Sequence, residues 1–193
     1  DPSDGGGWCE CEACAKMGSV SDRTLTLAND VAEAINGLGL GDKYVGMYAY
    51  NFHCAPPTIP VHPKVIITAT TAFITGGFTL DQIIDGWQKQ GATMGIYDYY
   101  SVNIWDWNLP GKGKATHPEA VASSIKNFYQ KKARFYDCES GDCWGPSGLG
   151  YYVASRAMWD VQQADRVKEI TEDFLTRAFG PAKEPMRGFY TLI

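Results

Sequence analysis

Two hydrophobic periods alternate along the 193-residue chain. Over residues 21–35, Leu25, Leu27, Ala28, Val31, Ala32 and Ile35 recur at helical spacing, with Ser21-Asp22 ahead of them as a cap and the glycine-rich 37–41 behind as a stop. The apolar run at 44–50 reads as a strand, 55–63 as a proline-rich loop, and 65–69 as a second strand. A helix starting near Thr79 sets Leu80, Ile83, Ile84 and Trp87 on one face and ends at Gly91. A third strand at 93–99, a polar and aromatic loop, a helix at 118–132 and a fourth strand at 133–138 follow. The remainder, 149–193, is helical with breaks at Asp160 and at Gly180-Pro181. Trp87, Phe128, Tyr129, Trp159, Phe174 and Phe179 fall at helical positions and read as packing residues.

Strands alternating with helices at this spacing predict an α/β fold with a parallel sheet, as a barrel or a doubly wound sheet. No glycine-rich phosphate loop follows any strand, which removes the signature of the nucleotide-binding open sheets. Acids and aromatics gather instead where strands end: Tyr48 and Tyr50, then Asp98, Tyr99 and Tyr100, then Asp137 and Glu139. Parallel-barrel enzymes build their sites at that face. The expectation is the C-terminal part of a (β/α)8 barrel of the TIM type followed by C-terminal helices. Residues 1–148 would be the partial barrel and 149–193 a helical segment packed on it. Four visible strands and one cut off before Asp1 cannot close such a sheet. The reading therefore expects a piece of a longer protein, whose missing N-terminal barrel half, or a partner chain, completes the fold.

Composition narrows the partners. A formal net charge of -5, a pI near 5.1 and the lack of any Lys/Arg block argue against nucleic acid and anionic membrane surfaces. No apolar run reaches the roughly 18 residues of a membrane span. Aromatics at 13%, with 11 Tyr and 6 Trp, exceed what a core needs and suit a wet stacking surface.

The opening DGGGWCECEAC, the run Asn29-Asp30-Val31-Ala32, the Ala49-Tyr50 after a strand and the closing YYVASRAMWDVQQADRVKEITEDFLTRAFGPAKEPMRGFY together resemble the DUF4838 family. The resemblance implies a glycoside-hydrolase-like barrel domain from bacterial secreted proteins, some of whose members are endo-β-N-acetylglucosaminidases. It implies a complex glycan, amino-sugar- or uronic-acid-containing, as substrate or ligand, an extracytoplasmic location and no cofactor. A non-catalytic carbohydrate-binding or structural barrel domain of a larger assembly is the alternative.

Glycosidic cleavage needs a carboxylic acid to protonate the leaving oxygen, and a second carboxylate or the substrate's own acetamido group to meet the developing positive charge. Glu139, just past the fourth strand with Trp144 five residues on, is the first candidate acid. Asp98 is the second and Asp4, where an earlier strand would end, the third. Asp137 would point to the same side of its strand as Glu139 and perturb it. Tyr50, Tyr99, Trp105, Trp107 and Trp144 are the candidate sugar-stacking residues, and Trp8 is placed to reach the same cleft. Each acid has a plainer reading as a turn or helix cap.

Six cysteines allow several states. A disulfide-stapled or partly free set, with Cys138 and Cys143 bridging the Glu139 loop, is the favoured reading. A structural zinc on Cys9, Cys11, Cys14 and Cys54 and a redox-active pair are the others. His53, His62 and His117 are scattered, give no catalytic metal set, and read as exposed loop histidines.

Overall fold

The computed structural model describes residues 6–40, 42–101, 113–141 and 144–193. Asp4, Trp105, Trp107 and Cys143 lie outside them. The chain divides into two compact units: residues up to Asp98 with Ala133–Asp137, and Tyr99–Lys132 with Cys138–Ile193.

The first unit opens with a short helix, α1 (Glu12–Lys16), and a long one, α2 (Val20–Gly37). Gly18, at φ +93, turns the chain between them in a backbone region that side chains rarely enter. The cap of α2 is therefore Ser19 rather than Ser21-Asp22. Its hydroxyl accepts from the Asp22 amide at 3.1 Å while Asp22 Oδ2 accepts from the Ser19 amide at 3.0 Å, a reciprocal capping box. The other oxygen of Asp22 accepts from the amide of Thr58 at 2.6 Å and from its hydroxyl at 3.1 Å, so one 2%-exposed carboxylate ties α2 to the proline-rich loop. Burial alone would raise the Asp22 pKa, but these hydrogen bonds outweigh it and hold the group below its ordinary value. Asp22→Ala should cost about 2–4 kcal/mol, combining a lost cap with a buried amide left unpaired. Because the folded-state pKa is depressed, the carboxylate's contribution is complete above the ordinary value of 3.8 and drains away as pH falls through the lower folded value. Urea unfolding of wild type and variant across acid pH should show their difference shrinking below that point.

Four strands form one parallel sheet in the order β1 (Val45–Asn51), β2 (Val65–Ile74), β3 (Thr93–Ser101) and β4 (Phe135–Ser140). The register pairs Met47 with Ile67 and Ile67 with Met94, then Ala49 with Ala69 and Ala69 with Ile96. These residues make one buried face, covered by α2 over β1 and by α3 (Leu80–Lys89) over β2. The α3 residues Ile83, Ile84 and Trp87 are fully buried, and each such side chain contributes about 1.5–3 kcal/mol by leaving water. The Trp87 indole also donates to the carbonyl of Cys54 at 2.9 Å. Tyr48, Thr68 and Gly95 share the opposite face, on which Tyr48 is 49% exposed. The sheet is open, with β1 and β4 at its edges, so within these residues it is not a closed barrel.

The second unit holds α4 (Pro118–Gln130), α5 (Trp144–Trp159), α6 (Val167–Phe179) and α7 (Lys183–Leu192), with 3-10 turns at Lys114–Thr116, Val161–Asp165 and Gly180–Ala182. The helical run thus starts at Trp144, not 149; Pro146 is no obstacle because the first turn needs no amide from it. Breaks fall at Asp160 and Gly180 as the pattern expects. Val121, Ile125, Val153, Ala157, Ile170 and Leu175 are buried in this unit. α7 buries no residue; Glu172 on α6 pairs with its Lys183 at 3.0 Å and with Arg187, which hold the Glu172 carboxyl down at about 2. Trp159, last in α5 before the Asp160 break, is 92% exposed and so is not the packing residue its helical spacing suggests. No helix among the described residues is long and apolar enough to cross a membrane.

Candidate functional site

Strand alternation decides which acids share a face. Asp98 follows Met94 and Ile96 at a spacing of two, so it belongs to the helix-covered side of β3. It is 1% exposed, and both of its oxygens are engaged: Thr71 donates to Oδ1 at 2.6 Å and the Tyr136 hydroxyl to Oδ2 at 2.6 Å. The carboxylate therefore ties the second halves of β2 and β3 to the start of β4. Its geometry is that of a positioning group rather than a proton donor open to substrate.

Asp137 and Glu139 lie on the other side. A Cβ built on Gly95 would meet Thr68 Oγ1 at 3.0 Å and Phe135 Cβ at 3.1 Å, which places Phe135 on the face of Thr68 and Tyr48. Asp137 follows Phe135 by two residues and Glu139 follows Asp137 by two, whereas Tyr136 points back to Asp98. Both acids are exposed. Tyr97 stands on this face too, its ring edge-on to Tyr48 at 5.4 Å. Tyr99, one pleat further along β3, is half-buried. Trp144 opens α5, 65% exposed, with its ring edge against Tyr151 at 4.8 Å.

A second feature sits where β1 and β2 end. The register shifts between Ala49 and Asn51, and Asn51 and Phe73 both hold positive φ, at 47° and 56°. For Phe73 this is a strained conformation of the kind that clusters at binding sites. Thr75 stabilises the bend, its hydroxyl donating to the Asn51 carbonyl at 2.8 Å and its amide to Cys54 Sγ at 3.4 Å. The result is a run of rings: Phe73 against Tyr50 at 5.6 Å, Tyr50 against His53 at 6.1 Å, and His53 against Trp8 at 5.5 Å. His53 is 6% exposed rather than an exposed loop residue, because the bend folds it inward, and burial lowers its pKa. Among the described residues, neither its Nδ1 nor the Trp8 Nε1, both buried, has a hydrogen-bond partner. An aromatic wall with two idle polar atoms suits a ligand that is apolar on its faces and hydroxylated at its edges. His62 instead is tied to the Lys64 amide at 3.1 Å, and His117 is exposed.

The thiols divide differently from the sequence expectation. Cys9, Cys11, Cys14 and Cys54 carry no disulfide. The Sγ atoms of Cys9, Cys11 and Cys14 lie within 4.8 Å of one another, whereas Cys54 is buried elsewhere, its sulfur against Thr75, so a four-cysteine set is not assembled. Cys11 faces the amide of Cys14 without closing a capping hydrogen bond. That amide and the thiols of Cys9 and Cys14 lower it to about 7, while the thiols of Cys9 and Cys11 push Cys14 up.

Of the expected site residues, Tyr50 joins the ring cluster, Asp137 and Glu139 share one strand face, and Asp98 is turned away from that face. Sequence reading missed His53, Thr71 and Tyr136; the two-residue period linking Asp98 to Met94 and Ile96 signalled only that Asp98 faces inward. The family model described as "Domain of unknown function (DUF4838)" matches residues 2–191. No curated protein and no solved structure matches the chain.

Proposed function

The chain belongs to the DUF4838 family, and from that premise we propose that it is part of a glycoside hydrolase that cleaves an amino-sugar-containing glycan outside the cytoplasm, with Glu139 as acid/base and Asp137 as its partner. In this reading the open parallel sheet is one side of a (β/α)8 barrel, closed by strands from elsewhere in the protein or from a partner chain. The face bearing Tyr48, Tyr97 and Asp137 then becomes the barrel interior, and the C-terminal strand ends its catalytic rim.

The observation that carries the proposal is the placement of Asp137 and Glu139 two residues apart on one face of β4, with Asp137 mid-strand and Glu139 one residue before its C-terminal end. Two residues of a strand span about 6.6 Å. Both carboxyls approach a sugar from the same side, whereas double displacement sets a nucleophile and an acid across the bond from each other. The nucleophile that fits this arrangement belongs to the substrate: a 2-acetamido group, as in the substrate-assisted hydrolases. Glu139 donates its proton to the glycosidic oxygen as the C1–O bond breaks, and the acetamido carbonyl oxygen closes on C1 to give an oxazolinium ring. Asp137 accepts a hydrogen bond from the acetamido N–H and offsets the positive charge of that ring. The Glu139 carboxylate then takes a proton from water, which attacks C1, reopens the ring and leaves the configuration at C1 unchanged. Asp98 acts as a positioning residue through the Tyr136 hydroxyl.

The test is acetamido dependence. The intact protein should hydrolyse N-acetylated chito-oligosaccharides or the chitobiose core of N-glycans and lose at least ~100-fold in rate on the de-N-acetylated forms, the scale of one electrostatic catalytic element. Equal rates on both would rule out substrate assistance. One observation favours the second reading, a non-catalytic carbohydrate-binding domain: the buried Asp98 is closed to solvent, and Asp137 and Glu139, the other described acids of β3 and β4, are exposed. That reading predicts saturable binding of the same oligosaccharides with no bond cleaved.

A further inference from the structure

The cysteine trio near the start of the chain plays no part in the proposed hydrolysis. Cys11 and Cys14 stand one helical turn apart at the start of α1, and the preceding loop brings Cys9 back to them, so that three Sγ atoms fall within 4.8 Å of one another. The loop is held in place: Arg23 on α2 donates through Nη1 to the Cys9 carbonyl at 2.6 Å and lays its guanidinium over the Trp8 ring at 5.5 Å. Glu12 and Lys16 pair at 2.7 Å along α1.

Three thiols are an awkward number for disulfides, since one bridge leaves a sulfur over. They are a common number for metal. Zinc–thiolate bonds of about 2.3 Å in a tetrahedron put neighbouring sulfurs about 3.8 Å apart, within roughly an ångström of the spacing found here. A bond between any two sulfurs would need about 2.05 Å, and the three residues are thiols. Cys9 and Cys11 are exposed and Cys14 is half-buried, so an ion has direct access. No other Cys, His, Asp or Glu among the described residues joins the group. From this geometry we infer that Cys9, Cys11 and Cys14 form a three-thiolate site for a soft divalent cation, zinc first, with a solvent or external donor in the fourth position. Soft sulfur donors in a tetrahedral set select zinc over the hard cations magnesium and calcium. Ligation also pins the loop that carries Trp8.

Cobalt(II) is the probe. Titrated into the reduced, metal-free intact protein, it should bind one ion per chain, giving a thiolate-to-metal charge-transfer band and the intense visible bands of tetrahedral cobalt, both erased by zinc. Cys9→Ser and Cys11→Ser should each weaken cobalt binding at least tenfold, while Cys138→Ser leaves the spectrum unchanged. Far-UV circular dichroism of each variant confirms that it is folded, and wild type alone already decides the matter. Absence of the charge-transfer band in wild type, its persistence at full strength in Cys11→Ser, or a disulfide within the trio in protein isolated without reductant would each overturn the inference.

Discussion

Gly150→Ala should destabilise the helical unit by at least about 2 kcal/mol, even though alanine is the better helix former by about 1 kcal/mol. Gly150 sits inside α5, and a Cβ there would stand 1.8 Å from the carbonyl oxygen of Ala115, 2.6 Å from its carbonyl carbon and 2.9 Å from its Cα. All three are backbone atoms of the 3-10 turn Lys114–Thr116, so no flexible side chain can swing aside. The turn or the helix has to move as a body, breaking the packing of Ala115 and Thr116, both of which are buried. Gly188→Ala in α7 is the matched control: nothing lies within 4 Å of its would-be Cβ, and it should be neutral or stabilising by up to about 1 kcal/mol. Urea unfolding monitored by circular dichroism separates the two. A Gly150→Ala variant as stable as Gly188→Ala would show that α5 and the turn are not in the contact described.

How far the sequence could be read depended on the range over which each feature is decided. The strands and helices rest on local period, and Met47, Ile67, Ile84 and Trp87 are buried where their spacing placed them. The cap of α2 is Ser19 rather than Ser21 because the turn at Gly18 sets where the helix begins and depends on φ, not polarity; the role of Asp22 in holding the proline-rich loop was hidden because its partner, Thr58, lies 36 residues away. Asp98 was readable in principle: its spacing from Ile96 puts it on the covered face, but the attraction of an acid beside two tyrosines at a strand end hid that. The partners Thr71 and Tyr136 come from two other strands and exist only once the register is set. Cys9, Cys11 and Cys14 converge because they are near in sequence. Cys54, also spaced as a ligand, went to Thr75 because the bend after β1 turns it inward. Trp159 looked like packing by period and is exposed because α5 ends there.

The second large effect is on chemistry. Glu139→Gln keeps the size and hydrogen-bonding reach of the side chain but removes the proton it must give to the leaving oxygen and take back from water. General acid–base groups contribute about 10²–10⁴-fold, and the variant should lose that factor in kcat on natural linkages. Glu139 is exposed at the end of an edge strand, so the fold should not suffer. Substrates with an acidic leaving group, which needs little protonation, should regain much of the lost rate in the first step.

The measurement that bears most directly on this account is release of new reducing ends from an N-acetylated chito-oligosaccharide or N-glycan by the intact protein, wild type beside Glu139→Gln. The account predicts turnover by wild type and a loss of at least ~100-fold in the variant. Undiminished turnover in Glu139→Gln, or tight binding of these glycans with no cleavage by wild type, would contradict it.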